Sequence, residues 1–136
     1  MLLRIKNRLE ELETLQSALE TFAAEHSLPA KTTGETRLIL EELLVNIISH
    51  AYPDQGVHEI IFTLERVDDV LRIECIDDGV AFDPLMVPEP DTTLSLAERH
   101  VGGLGIHFIR AFSDNLTYQR EHGKNILRIS KFIPVL

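Results

Sequence analysis

A change of hydrophobic period at Pro53 constrains this 136-residue chain more than any other feature. Before it, Leu9, Leu12, Leu15, Leu19, Phe22 and Ala23, and then Leu38, Leu40, Leu43, Leu44, Ile47, Ile48 and Ala51, recur at helical spacing. After it, His58 to Val67 and Val70 to Ile76 are rich in β-branched and apolar residues around Asp68-Asp69, which predicts a hairpin. Two amphipathic helices that precede a sheet bury their apolar stripes most economically by packing on one of its faces.

The rest of the chain fits that plan. Residues 2–6 alternate loosely and predict a short strand, and Asn7 with Glu10 has the chemistry of a helix N-cap and its N3 partner. The first helix should run to about Glu25, with Ser27-Leu28-Pro29 as a break, and Asp54-Gln55-Gly56 reads as a turn. Asp77 to Gly105 has little periodicity and carries Pro84, Pro88 and Pro90, and a loop that long in a small domain usually serves as a lid or binding loop. Leu104 to Phe112 predicts a short helix opened by glycines. Strands at Leu116–Arg120 and Ile126–Phe132 should flank a turn at His122-Gly123-Lys124-Asn125. The order β-α-α-β-β-loop-α-β-β predicts a single α+β domain, a two-layer sandwich of helices on a mostly antiparallel sheet.

Charge and cysteine content narrow the function classes. Asp and Glu total 22 against 13 Lys and Arg, a formal charge of −9. That argues against binding a phosphate backbone, which needs clustered Lys and Arg, and against docking on anionic membranes. The one cysteine, Cys75, cannot form an internal disulfide and reads as a small buried hydrophobe. With no signal-peptide order at Met1 to Asn7 and no apolar run near the roughly 18–20 residues that span a bilayer, the expected compartment is the cytoplasm.

Three constellations carry chemistry. Glu42, Asn46 and His50 stand at i, i+4 and i+8 and share one face of the second helix. The amide oxygen of an asparagine is a hard, neutral ligand suited to Mg²⁺, and a carboxylate one turn away can orient or deprotonate a nucleophile. The plainer alternative is a solvated polar stripe. Asp77-Asp78-Gly79 closes an apolar strand: a carboxylate there can accept a hydrogen bond from an exocyclic amine, and Gly79 would let the backbone approach a ring, although Asp-Gly also makes ordinary turns. Gly102-Gly103-Leu104-Gly105 leads into a helix whose N–H groups and dipole suit phosphate. No Gly-Lys-Ser/Thr follows, so it is not a Walker loop, and loop flexibility is its alternative reading.

Taken in order, these motifs resemble the GHKL ATP-binding superfamily. Glu42-x-x-x-Asn46 is similar to its N-box, Asp77-x-Gly79 to its G1 box and Gly103-x-Gly105 to its G2 box. Within the superfamily, the run from Glu42 to His50-Ala51-Tyr52, the Phe82-Asp83-Pro84 continuation and the short lid resemble the anti-sigma factor serine-protein kinases. The resemblance extends from Ile5 to the last strand.

It implies a Bergerat-type ATP-binding fold with ATP and Mg²⁺. Asn46 would hold the metal, Glu42 would act as the general base toward a protein serine, and Asp77 would read the adenine amine with Gly79 beside the ring. Gly103, Leu104 and Gly105 would offer backbone amides to the phosphates, and Arg99 in the lid would reach the γ-phosphate. Implied partners are a sigma factor and an anti-anti-sigma antagonist protein, with a homodimer compatible, and neither nucleic acid nor membrane. Two other readings stay open: a nucleotide-gated binding module that transfers nothing, and the ATP-binding domain of a histidine kinase system. One departure stands out. The family often has Gly-Thr near the end, whose hydroxyl helps hold the adenine, and this chain has Gly123-Lys124-Asn125, so the contact is lost or Asn125 replaces it.

Overall fold

The strands and helices follow the expected order in the computed structural model, which describes residues 1–86 and 103–134. They are β1 (Leu2–Lys6), α1 (Glu11–Glu25), α2 (Ala30–His50), β2 (Glu59–Val67), β3 (Val70–Asp77), a 3-10 turn (Pro84–Met86), α3 (Gly103–Phe112), β4 (Asn115–Glu121) and β5 (Lys124–Phe132). The strands form one sheet in the order β1-β2-β3-β5-β4, with every pairing antiparallel.

Strict alternation decides which face of the sheet is covered. Ile60, Phe62 and Leu64 of β2, Leu71, Ile73 and Cys75 of β3, and Leu127 and Ile129 of β5 are all buried. They meet Leu15, Leu19 and Phe22 from α1, Ile39, Leu40, Leu43, Leu44 and Ile47 from α2, and Ile106 and Ile109 from α3. This is the α+β sandwich that the sequence predicts. The intervening strand residues face away and pair across strands, as in Glu65–Arg72 at 3.5 Å and Glu74–Arg128 at 2.9 Å. Such exposed pairs add little stability. Among the described residues, no helix is long and apolar enough to cross a membrane.

Three local expectations need correction. Asn7 is not a helix cap: its Oδ1 accepts from the His58 N–H at 2.8 Å and its Nδ2 donates to the Gly56 carbonyl at 3.0 Å, tying the end of β1 to the start of β2. The helix begins later, at Glu11, whose carboxylate, rather than that of Glu10, accepts from the backbone N–H of Lys6 at 2.7 Å. The other two concern β4 and β5. The turn is shorter than expected, because Glu121 pairs directly with Lys124 and only His122 (φ 51°) and Gly123 (φ 74°) lie between them. Positive φ at both central residues is type I′ geometry, which matches the twist of a hairpin. Lys124 and Asn125 consequently belong to β5 rather than to a loop.

Candidate functional site

The inward alternation of β3 and β5 does not stop where the apolar side chains stop. On β3 it passes from Cys75 to Asp77, and on β5 from Leu127 to Asn125, with Cys75 paired to Leu127 and Asp77 to Asn125. The last inward rung of the core is therefore polar and still buried, with Asp77 at 7% and Asn125 at 6% exposure. Asp77 Oδ1 accepts from Asn125 Nδ2 at 2.9 Å and from the Gly79 N–H at 2.9 Å. Its Oδ2 receives no hydrogen bond from the described residues. Burial pushes the Asp77 carboxyl up from the ordinary carboxylate range, and the Asn125 and Gly79 hydrogen bonds oppose that rise.

Asp77 lies on the wall of a narrow, partly open cleft between α2, α3 and the sheet. Leu43, Ile47, Ala51, Cys75, Phe82, Ile106 and Leu127 supply an apolar lining, and Asn46, His50, Asp77, Tyr118 and Asn125 supply the polar groups. A flat, apolar ring with a hydrogen-bond donor on its edge suits a cleft of this composition.

The helical trio on α2 separates by depth. Asn46 is buried at 6% exposure, Glu42 is half-buried, and His50 is exposed at the helix end with its ring 6.1 Å from that of Phe82. A merely solvated stripe would expose all three. Asn46 Nδ2 is buried without a hydrogen-bond partner among the described residues. An unsatisfied buried donor costs on the order of 1–3 kcal/mol, so the natural complement of this NH2 is a hydrogen-bond acceptor in the cleft, such as a phosphate oxygen. The donor set fits Mg²⁺ carried on phosphates: among the described residues no cluster of three His, Cys, Asp or Glu could cage a metal alone, and one amide oxygen is the kind of single protein ligand Mg²⁺ takes when phosphates and water complete its shell. Burial and then neighbouring Glu41 push the Glu42 carboxyl upward, which strengthens it as a proton acceptor.

The Asp-x-Gly segment is held from several sides. An added Cβ on Gly79 would fall 2.5 Å from Ala51 Cβ and 2.5 Å from the Ala51 carbonyl oxygen. The glycine is thus required first by close packing on the end of α2, where the Val80 N–H also donates to the Ala51 carbonyl at 2.8 Å. This differs from the ring-facing reason that the Asp-x-Gly pattern alone suggests. Arg120 donates to the Gly79 carbonyl at 2.7 Å, and Tyr52 donates to Asp78 Oδ1 at 2.8 Å while its ring stacks 4.0 Å from that of His58. Burial and the Asp78 contact keep the Tyr52 phenol protonated.

Ile106 joins the lining from α3, so the first turn of that helix, with Gly103, Leu104 and Gly105, lies beside the cleft. The first N–H groups of a helix have no acceptor within it and favour an anion. Arg99, and most of the stretch assigned to a lid, lie outside the described residues. The structure thus brings Asn46, Asp77 and the start of α3 around one cleft, with Glu42 one turn back along α2. Tyr118 and Arg120 leave no signal in the sequence, because isolated aromatic and basic residues near strand ends carry no motif, and Tyr52 enters there only as part of the Glu42-to-Tyr52 run, with no role of its own.

Comparison with known proteins agrees with this geometry. A family model described as the histidine kinase-like ATPase domain matches residues 5–131. The chain is 31% identical over 112 residues to the serine/threonine-protein kinase BtrW of Bordetella bronchiseptica, covering 82% of this chain and 79% of that protein. It is 28% identical over 132 residues to the anti-sigma F factor of Lysinibacillus sphaericus, covering 93% and 89%. Among solved structures, the RsbU and RsbW domains of a Mycobacterium tuberculosis protein superpose with a TM-score of 0.64 at 14% identity, covering 98% of this chain and 32% of that one. A histidine kinase domain of Erythrobacter litoralis superposes at 0.54 and 18% identity, covering 90% and 59%. The chain belongs to the histidine kinase-like ATPase domain family, of the GHKL type that includes the anti-sigma factor serine-protein kinases.

Proposed function

We propose that this protein is an ATP- and Mg²⁺-dependent serine-protein kinase that phosphorylates a small antagonist protein and, in its other role, sequesters a sigma factor. The observation that carries the reading is the convergence on one apolar cleft of two buried polar groups, the Asp77 carboxylate, whose Oδ2 takes no hydrogen bond from the described residues, and the Asn46 amide, whose Nδ2 has no partner among them. The relatives named as a serine/threonine-protein kinase and as anti-sigma F factors support the partner class.

The roles follow from chemistry. Asp77 Oδ2 accepts from the exocyclic amine of adenine while the apolar walls hold the ring. Asn46 holds Mg²⁺, which when bound neutralises phosphate charge and aligns the transferable group. The N–H groups at Gly103, Leu104 and Gly105 receive phosphate oxygens, and Arg99 is assigned to the γ-phosphate. Glu42 takes the proton of the attacking serine hydroxyl as the new O–P bond forms and the bond to the leaving diphosphate breaks. Phosphoryl transfer needs chiefly such positioning and charge stabilisation. The acidic surface keeps the protein off DNA, and a homodimer is compatible with this reading.

The deciding experiment incubates labelled ATP, Mg²⁺ and candidate antagonist proteins with the native chain and with Glu42→Ala. Label should appear on an antagonist serine with the native chain and fall by about 10²–10⁴ in the variant, which should still bind ATP. ATP binding without transfer to any candidate would favour a nucleotide-gated binding module.

A further inference from the structure

Asn125 follows Gly123-Lys124, which stands where the family the chain resembles often has Gly-Thr, and its surroundings show what it does there. Its Nδ2 donates to Asp77 Oδ1 at 2.9 Å and to the Val80 carbonyl at 2.8 Å. Its Oδ1 accepts from the Tyr118 hydroxyl at 2.5 Å and from the Phe82 N–H at 3.3 Å. An asparagine side chain has two donor hydrogens and two acceptor lone pairs, so all four are used. The orientation of the amide follows from the same list. Turned over, it would set oxygen against a carboxylate and a carbonyl, and nitrogen against the Phe82 N–H.

A residue with no hydrogen-bonding capacity left has none to offer a ligand. We infer that Asn125 is a positioning residue that sets nucleobase specificity through Asp77, acting as a four-way amide clamp. By occupying Asp77 Oδ1 together with the Gly79 N–H, it leaves Oδ2 of this cleft-lining residue as the acceptor without a partner among the described residues. Its donated hydrogen bond also favours the ionised carboxylate that burial opposes. An acceptor-only group at that position selects a base edge bearing an amine and rejects one bearing a carbonyl oxygen, because two acceptors facing each other leave both unpaired. Tyr118 belongs to the same device, since its hydroxyl fixes the end of the amide remote from Asp77.

This rests on the nucleotide reading above, and the test separates the two. The probes are ATP and ITP, which differ at the base by a 6-amino group against a 6-oxo group. Their affinities for the full chain are measured calorimetrically in the presence of Mg²⁺, with circular dichroism checking the fold of each variant. The native chain should prefer ATP. In Asn125→Ala the ATP-over-ITP preference should fall about tenfold, chiefly through weaker ATP binding. Asn125→Thr, which keeps a donor for Asp77, should recover most of it. Tyr118→Phe should lower the preference by about two- to threefold, and it carries the test if Asn125→Ala does not fold.

Equal weakening of both nucleotides in Asn125→Ala, or a preference as low in Asn125→Thr as in Asn125→Ala, overturns the proposal and leaves Asn125 as a structural residue. An unchanged preference in Tyr118→Phe overturns it as well. A native chain that binds neither nucleotide removes the underlying reading, whereas one that discriminates while Asn125→Ala discriminates equally removes this inference alone.

Discussion

Gly79 and Ala51 are in such close contact that the position a Cβ would take on Gly79 lies 2.5 Å from both the Ala51 side chain and its carbonyl oxygen. The end of α2, which carries Asn46 one turn earlier, is thereby keyed to the segment that carries Asp77.

Gly79→Ala should therefore destabilise the fold by about 1–3 kcal/mol, the usual effect of overpacking a filled interior. Urea denaturation measures it directly. Ala51→Gly should restore only part of the loss, because the backbone carbonyl remains in the way. Undiminished stability in Gly79→Ala would show that this packing can relax.

Asp77→Asn should separate stability from binding. The folded-state pKa of Asp77 lies above the ordinary 3.8, with burial the largest cause, so the folded chain holds that proton more tightly than the unfolded one. Stability is then lost as pH rises from the ordinary value through the raised one. Asparagine carries no such cost and can still accept from Asn125 and Gly79. At pH 7 the variant should melt at or above the native temperature, with the gap closing toward pH 4, while ATP affinity falls at least about tenfold. A variant that melts lower at pH 7 would show the carboxylate to be a net stabiliser.

Lys131 is buried on the inward face of β5, where its ammonium pairs with Glu35 of α2 and donates to the Phe112 carbonyl at the end of α3 at 2.9 Å. Glu35→Ala leaves that ammonium short of its counter-charge and should cost about 3 kcal/mol in urea melts. Replacing both partners, as Glu35→Leu with Lys131→Met, should cost clearly less than the sum of the two single changes. Strict additivity would mean that the two residues do not act as a pair.

On the proposed function, the acidic surface should make binding to a sigma factor sensitive to ionic strength. With a net charge of −9 facing the basic surface such a protein uses on DNA, association should weaken on the order of tenfold between about 0.05 and about 0.5 M salt. Titration of a labelled sigma factor across that range is the measurement. Affinity that ignores salt would point to an apolar interface instead.

The period of the apolar residues made α1, the hairpin of β2 and β3, and the inward faces of β4 and β5 legible in the sequence, because burial of one face leaves a repeat. The first two turns of α2 left a weaker trace: Thr32, Thr33 and Gly34 are poor helix formers, and tertiary packing of Thr32 and Thr36 overrides their preference. Asn125 was misplaced for a similar reason. Lys and Asn are uncommon in strands, so Lys124-Asn125 read as turn, whereas pairing of Asn125 with Asp77 holds it in the ladder. Asn7 had cap chemistry but found its partners some fifty residues away, at Gly56 and His58, and local patterns do not report such long-range choices. Asp77, Asn46 and Glu42 were legible as motifs, and their different depths emerged only from the packing of α2 on the sheet.

The polar rung formed by Asp77 and Asn125 continues the same two-residue alternation that buries Ile73, Cys75, Leu127 and Ile129. One counting rule therefore aims both the greasy interior and the recognition groups, and neither can be reset without the other. A single-residue deletion between Leu71 and Asp77, or between Asn125 and Ile129, would turn the carboxylate or the amide to the outer side of the sheet while exposing half a strand of apolar side chains. Over generations this chain should accept many exchanges of one side chain for another along β3 and β5, and almost no change in how many residues lie between them.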